Sequence, residues 1–103
     1  MGSNLVEMEL AYRLLSLDEV ESGLQSLSGW SVAEGMLTKE FSFETYLAGI
    51  SFTVRVAEVA DDLDHHPDIE IGYRRVRIRM NTHAVNGLSP YDLTLATQID
   101  RLP

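Results

Sequence analysis

Between Ile69 and Met80 two short runs alternate at period two: Ile69, Ile71 and Tyr73, then Val76, Ile78 and Met80, with Arg75, Arg77 and Arg79 on the opposite parity. Such alternation demands a sheet that is buried on one face and wetted on the other, which is the pattern of antiparallel strands. With the turn at Arg74-Arg75, Ile71 stands opposite Ile78 and Glu70 opposite Arg79, giving an apolar pair on one face and an ion pair on the other. A second hairpin is predicted from Trp30 to Phe43. Trp30 and Val32 alternate first, Glu34-Gly35 makes the turn, and Leu37, Lys39, Phe41 and Phe43 continue the pattern.

A sheet with one apolar face must be covered, and three helical patterns are present to cover it. Ser16-Leu17-Asp18-Glu19 has the form of a capping box ahead of Val20, Leu24 and Leu27, and Gly29 closes the segment. Residues 45–64 hold the longest pattern, with Leu47, Ile50, Val54 and Ala57 as its apolar stripe and Asp61 extending that stripe by one step. Ser89-Pro90 starts a last helix, whose inner residues are Leu93, Ala96 and Ile99. The order α-β-β-α-β-β-α implies an α+β layer with helices covering one sheet face.

No repeat, linker or low-complexity stretch divides the chain, so residues 1–103 are expected to form one domain, with 1–15 as an N-terminal extension. Residues 4–15 mix apolar and acidic side chains, and a helix, a strand and a docking arm all fit them. A formal net charge of −8 argues against direct contact with nucleic acid or an anionic membrane. The absence of cysteine rules out disulfides, thiolate nucleophiles and Cys-ligated metals, and it fits a reducing compartment. No apolar run spans a bilayer and the N-terminus does not read as a signal peptide, so the expected location is the cytoplasm.

All three histidines fall within 19 residues, in Asp61-Asp62-Leu63-Asp64-His65-His66-Pro67 and Asn81-Thr82-His83. Imidazole exchanges protons near neutrality, so three of them at one helix-to-strand junction and one strand end suit acid–base catalysis. Asp61 stands four residues before His65, in reach of it if the helix persists. Each feature also has a plainer explanation. A histidine beside proline is commonly a turn or cap residue, and Asp92 is the third helical residue after Ser89, where an acid completes a capping box. The three arginines fit a solvated or dimer-contacting strand face. A zinc site is a competing idea, weakened because adjacent His65 and His66 point in different directions.

The stretch from Asp61 to Asp92 resembles the signature of the pterin-4a-carbinolamine dehydratase family. It runs Asp61, His65-His66-Pro67, five residues to Tyr73, nine more to His83, and eight to Asp92. The resemblance extends through Gly29-Trp30, Phe41-Ser42-Phe43, Val56-Ala57-Glu58, Gly87-Leu88-Ser89, Leu95-Ala96 and Ile99-Asp100, and so covers about residues 17–100. Three positions depart from the family pattern: Ile69 where tryptophan is frequent, Ala84 where an acid commonly follows the third histidine, and Asn86 where a small residue is usual. None of these removes a proton-transfer group.

The resemblance implies a single four-stranded antiparallel sheet with helices packed on one face, assembled as a homodimer or homotetramer. It implies a lyase that dehydrates 4a-hydroxytetrahydropterin to quinonoid dihydropterin, in tetrahydrobiopterin recycling, with no metal or organic cofactor. Carried over by position, His65 and His83 would be the acid–base pair, with Asp61 and Asp92 tuning or orienting the imidazoles. His66 would bind the pterin, and Asp64, Pro67, Asn81 and Thr82 would line the substrate site. The family resembled also includes a dimerisation cofactor of a homeodomain transcription factor and proteins that assist rubisco assembly. A catalytically silent scaffold with a protein partner is therefore the alternative expectation.

Overall fold

A computed structural model describes residues 9–103. Of the undecided segment 4–15, residues 4–8 lie outside the described residues. The elements in chain order are α1 (Leu17–Gln25), β1 (Ser31–Ala33), β2 (Met36–Ser42), α2 (Tyr46–Leu63), β3 (Asp68–Gly72), β4 (Arg75–Met80) and α3 (Pro90–Asp100), with a single 3-10 turn at His83–Val85 before α3. All four strands join one antiparallel sheet in the order β1-β2-β4-β3. The expected α+β fold and element order are those observed.

Local chemistry sets most boundaries. Ser16 and Glu19 form the capping box of α1, and Ser89 and Asp92 form that of α3, where Pro90 occupies the first turn. Thr45 caps α2 by accepting from the Ala48 amide, 3.0 Å away. Glu34 and Gly35 both have positive φ, as the tight turn between β1 and β2 requires. On β4 the alternation holds residue by residue: Val76, Ile78 and Met80 are buried, while Arg75, Arg77 and Arg79 keep partial exposure.

The second hairpin corrects the expected register. Ile69 faces Ile78, Glu70 faces Arg77 and Ile71 faces Val76, so the turn is Tyr73-Arg74 and the pairing lies two residues from that predicted. Arg74 takes the left-handed conformation, its carbonyl accepts from the Phe43 amide at 2.9 Å, and its Nε donates to the Phe43 carbonyl at 3.3 Å. Those bonds tie the turn to the end of β2 and fix the tighter closure. A shift of two residues keeps every side chain on its predicted face. Glu70 accordingly meets Arg77 at 3.4 Å, not Arg79.

Helix α2 turns its other side to the sheet. Gly49, Phe52, Val56 and Ala60 are its buried residues, whereas Leu47 is 71% and Val54 is 54% exposed. The stripe read from the sequence is thus the outer face, and Asp61 belongs there among solvent-facing residues. The core lies between α2, α3 and the inner sheet face, where Leu37, Val76, Ile78 and Met80 meet Phe52, Val56, Leu93 and Ile99. Trp30 closes one end, its indole N–H donating to both Asp100 oxygens at 3.0 and 3.1 Å. Among the described residues no helix is long and apolar enough to cross a membrane.

Candidate active site

The histidines are placed by two turns and a strand end. Helix α2 stops because Asp64 adopts the left-handed conformation, with φ 55. That conformation rotates the chain, and the His65 amide then donates back to the Ala60 carbonyl at 3.1 Å. The consequence corrects the expected partner of Asp61. Asp61 does not reach His65; its Oδ1 lies 2.9 Å from Nε2 of His66, and both side chains are exposed. His65 turns inward, to Asp92.

Asp92 is wholly buried and fully satisfied. Its Oδ1 lies 2.7 Å from His65 Nε2, while Oδ2 accepts from Thr82 Oγ1 at 2.7 Å and from the Ser89 amide at 2.9 Å. A carboxylate only accepts, so Nε2 of His65 carries the hydrogen and Nδ1 is the ring nitrogen left for other chemistry. The Thr82 hydroxyl hydrogen is donated to Asp92, which makes the Ser89 hydroxyl the donor across the 2.6 Å contact between the two hydroxyls. Asp92 therefore fulfils both sequence readings at once: it completes the α3 capping box and it holds an imidazole. A buried carboxylate with this many donors is stable where an isolated one is not.

Beside this network lies an open pocket of about 350 Å³, lined by His66, His83, Asn81, Arg79, Asp68, Met36 and Met80. Two of the three histidines and Asn81 are thus brought to one cavity. His65 sits behind, nearly closed from solvent, with Thr82 in the same buried layer. Asp64 is exposed at the helix end, Pro67 is partly buried between His66 and β3, and neither lines the pocket. Among the described residues no three histidine, aspartate or glutamate side chains converge as a metal-holding group.

Several contributors escaped the sequence reading. Tyr91 packs 5.5 Å from the His65 ring, and Tyr12 stacks on Tyr91 at 4.8 Å. The N-terminal segment is pinned there as well, since the Leu15 amide donates to the Leu88 carbonyl at 2.8 Å. Only the position of Tyr91, next to Asp92, hinted at this. Of the three departures from the family pattern, Asn86 has a local reason: it adopts the left-handed conformation, which asparagine tolerates.

The family model described as pterin 4 alpha carbinolamine dehydratase matches residues 13–102. A protein of Mycolicibacterium smegmatis, provisionally named a pterin-4-alpha-carbinolamine dehydratase, is 43% identical over 89 residues, which is 86% of this chain and 95% of that protein. A Mycobacterium leprae protein with the same provisional name matches with the same identity and coverage. A solved structure of a transcriptional coactivator/pterin dehydratase from Brucella melitensis superposes with a TM-score of 0.81 at 29% identity, covering 85% of this chain and 96% of that one. A pterin dehydratase-like protein identified as a RuBisCO assembly factor in the alpha-carboxysome superposes with a TM-score of 0.57 at 24% identity, covering 69% and 82% of the two chains. That second likeness is one of fold.

Proposed function

This chain belongs to the pterin 4 alpha carbinolamine dehydratase family, and we propose that it dehydrates 4a-hydroxytetrahydropterin in its histidine pocket. The observation that carries the reading is the convergence of His66, His83 and Asn81 on one pocket beside the buried His65–Asp92 pair. The reaction breaks the bond from C4a to the hydroxyl oxygen. One imidazolium gives a proton to that oxygen, which leaves as water, and one neutral imidazole takes the proton from N5. The N5 electron pair then closes the N5–C4a double bond of the quinonoid product. Two imidazoles of opposite protonation are sufficient for both transfers.

In this reading His83 and His65 exchange the protons. A carboxylate hydrogen-bonded to the far nitrogen orients an imidazole and stabilises its charged form, and Asp92 stands in that relation to His65. Substrate must then meet His65 at Nδ1, because Nε2 is engaged. His66, steadied by Asp61, forms the wall against which a flat heterocycle rests, with Asn81 beside it. Thr82 acts through Asp92, and Asp64 and Pro67 set the chain direction that separates His65 from His66. The set of groups needs no metal or organic cofactor.

A homo-oligomer in the cytoplasm is part of the same proposal. Leu47 and Val54, exposed on α2, supply an apolar face for a second copy. A scaffold role with a protein partner is the alternative, and it makes no use of the buried carboxylate–imidazole pair. A co-crystal with 7,8-dihydrobiopterin tests the assignment: the ring is expected between His66 and His83, and density for it at any other place overturns the site.

A further inference from the structure

Three arginines stand on the outer face of β4, and two are neutralised. Arg75 lies 3.9 Å from Glu70, and Arg77 lies 3.4 Å from Glu70 and 3.7 Å from Glu40. Arg79 forms no ion pair among the described residues. Its cross-strand neighbours are Thr38 on β2 and Asp68 on β3. Partly buried, it lines the same pocket as His66, His83 and Asn81. A guanidinium with no ion pair among the described residues, in a chain of net charge −8, is an unusual feature, and its position gives it a use. Guanidinium is a rigid fork of donors that matches a carboxylate or phosphate in two parallel hydrogen bonds. The heterocycle proposed above is itself uncharged, so the group that Arg79 would meet is a substituent on it.

We propose that Arg79 makes this pocket selective for pterins that carry an anionic group, a carboxylate or a phosphate ester, on the side chain of the ring. The inference rests on the dehydratase reading and names its substrate class. Asp68 in the same wall opposes an anion and moderates the preference. Arg79 is a specificity residue here, placed two positions before Asn81 on the strand that delivers His83.

The test is binding of three stable pterins to the full chain by titration calorimetry: 6-hydroxymethylpterin, its phosphate ester, and pterin-6-carboxylate. The wild type is expected to bind at least one anionic form about tenfold more tightly than the neutral one, and added salt should shrink that ratio. The tighter of the two anions identifies the substituent. In Arg79→Gln the ratio should fall to about one, and in Asp68→Asn it should rise, which keeps the inference testable if either variant folds poorly. Equal affinity for charged and neutral pterins, or a preference that survives Arg79→Gln, overturns the inference and leaves the dehydratase reading standing. Failure of all three pterins to bind overturns both.

Discussion

Nε2 of His65 lies 2.7 Å from Oδ1 of Asp92, and the carboxylate that holds it has no exposure to solvent. The same side chain accepts from Thr82, just beyond β4, and completes the capping box of α3, so one residue links the fold to the candidate site. Asp92→Ala should therefore act first on stability. It strands the Thr82 hydroxyl, the Ser89 amide and the His65 ring, and a loss of roughly 3 kcal/mol is expected. Urea unfolding followed by the emission of Trp30, the single and buried tryptophan, measures it.

Asp92→Asn separates the two roles. The amide oxygen still accepts from Thr82 and Ser89, but the amide nitrogen then faces His65 as a donor. Nε2 must become the acceptor, which moves the hydrogen to Nδ1 and reverses the tautomer. We expect about 1 kcal/mol of lost stability and at least a ~100-fold loss in kcat/KM on a 4a-carbinolamine. A variant that keeps full activity would remove His65 from proton transfer.

Val54 and Val56 stand two residues apart on opposite sides of α2, one exposed and one wholly buried. Val56→Ala should cost about 2 kcal/mol through the cavity it leaves against the sheet. Val54→Asp should leave the chain folded and shift its light-scattering mass to that of one copy. The reverse ranking in stability would mean that the helix packs by its other face.

That helix shows where sequence reasoning stopped. Residues 46–63 carry apolar side chains nearly all round, so the pattern fixed a helix but not its inner face. Leu47, Ile50 and Val54 made a stripe as regular as that of Phe52, Val56 and Ala60. Elements with a clear start or turn signal were legible as elements: β4 through its arginines, α3 through Ser89-Pro90, the first hairpin through Glu34-Gly35, although α3 also buries Leu95 and Val32 is exposed. The hairpin register went astray because Tyr73-Arg74 carries no turn signature, and only the bonds to Phe43 set it. At the site, residue types and spacing singled out the stretch of chain from which His66, Asn81 and His83 come to line one pocket. Asp61 meets His66 and not His65 because one left-handed residue, Asp64, decides which histidine meets which carboxylate, and a backbone angle of that kind is not written in residue spacing.

Arg13 and Glu19 anchor the segment that carries Tyr12. Two hydrogen bonds, at 3.0 and 2.8 Å, join them, and the Arg13 guanidinium first, then the Ser16 amide, hold the Glu19 carboxyl down at about 2. A folded value below the unfolded one stabilises the folded chain fully above the ordinary carboxylate range, and that contribution is lost as pH falls toward about 2. Arg13→Gln should move the Glu19 carboxyl back up toward its usual range in a carbon-13 NMR titration. An unchanged midpoint would show that the cap alone is responsible.

Gly23 meets α3 closely: a Cβ there would lie 2.8 Å from Leu93 Cδ1, and Leu93 is wholly buried. Alanine is the better helix former, yet Gly23→Ala should destabilise by about 1–2 kcal/mol because the buried Leu93 side chain must shift to admit the methyl group. A gain in stability by urea unfolding would show that α1 can slide.

The decisive measurement is stopped-flow decay of 4a-hydroxytetrahydropterin with the wild type, His65→Ala, His66→Ala and His83→Ala. The wild type should exceed the uncatalysed rate, His65→Ala and His83→Ala should each lower kcat by ~100-fold or more, and His66→Ala should act mainly by raising KM. Decay at the uncatalysed rate with the wild type, or full turnover by the His65 and His83 variants, would contradict catalysis by these imidazoles.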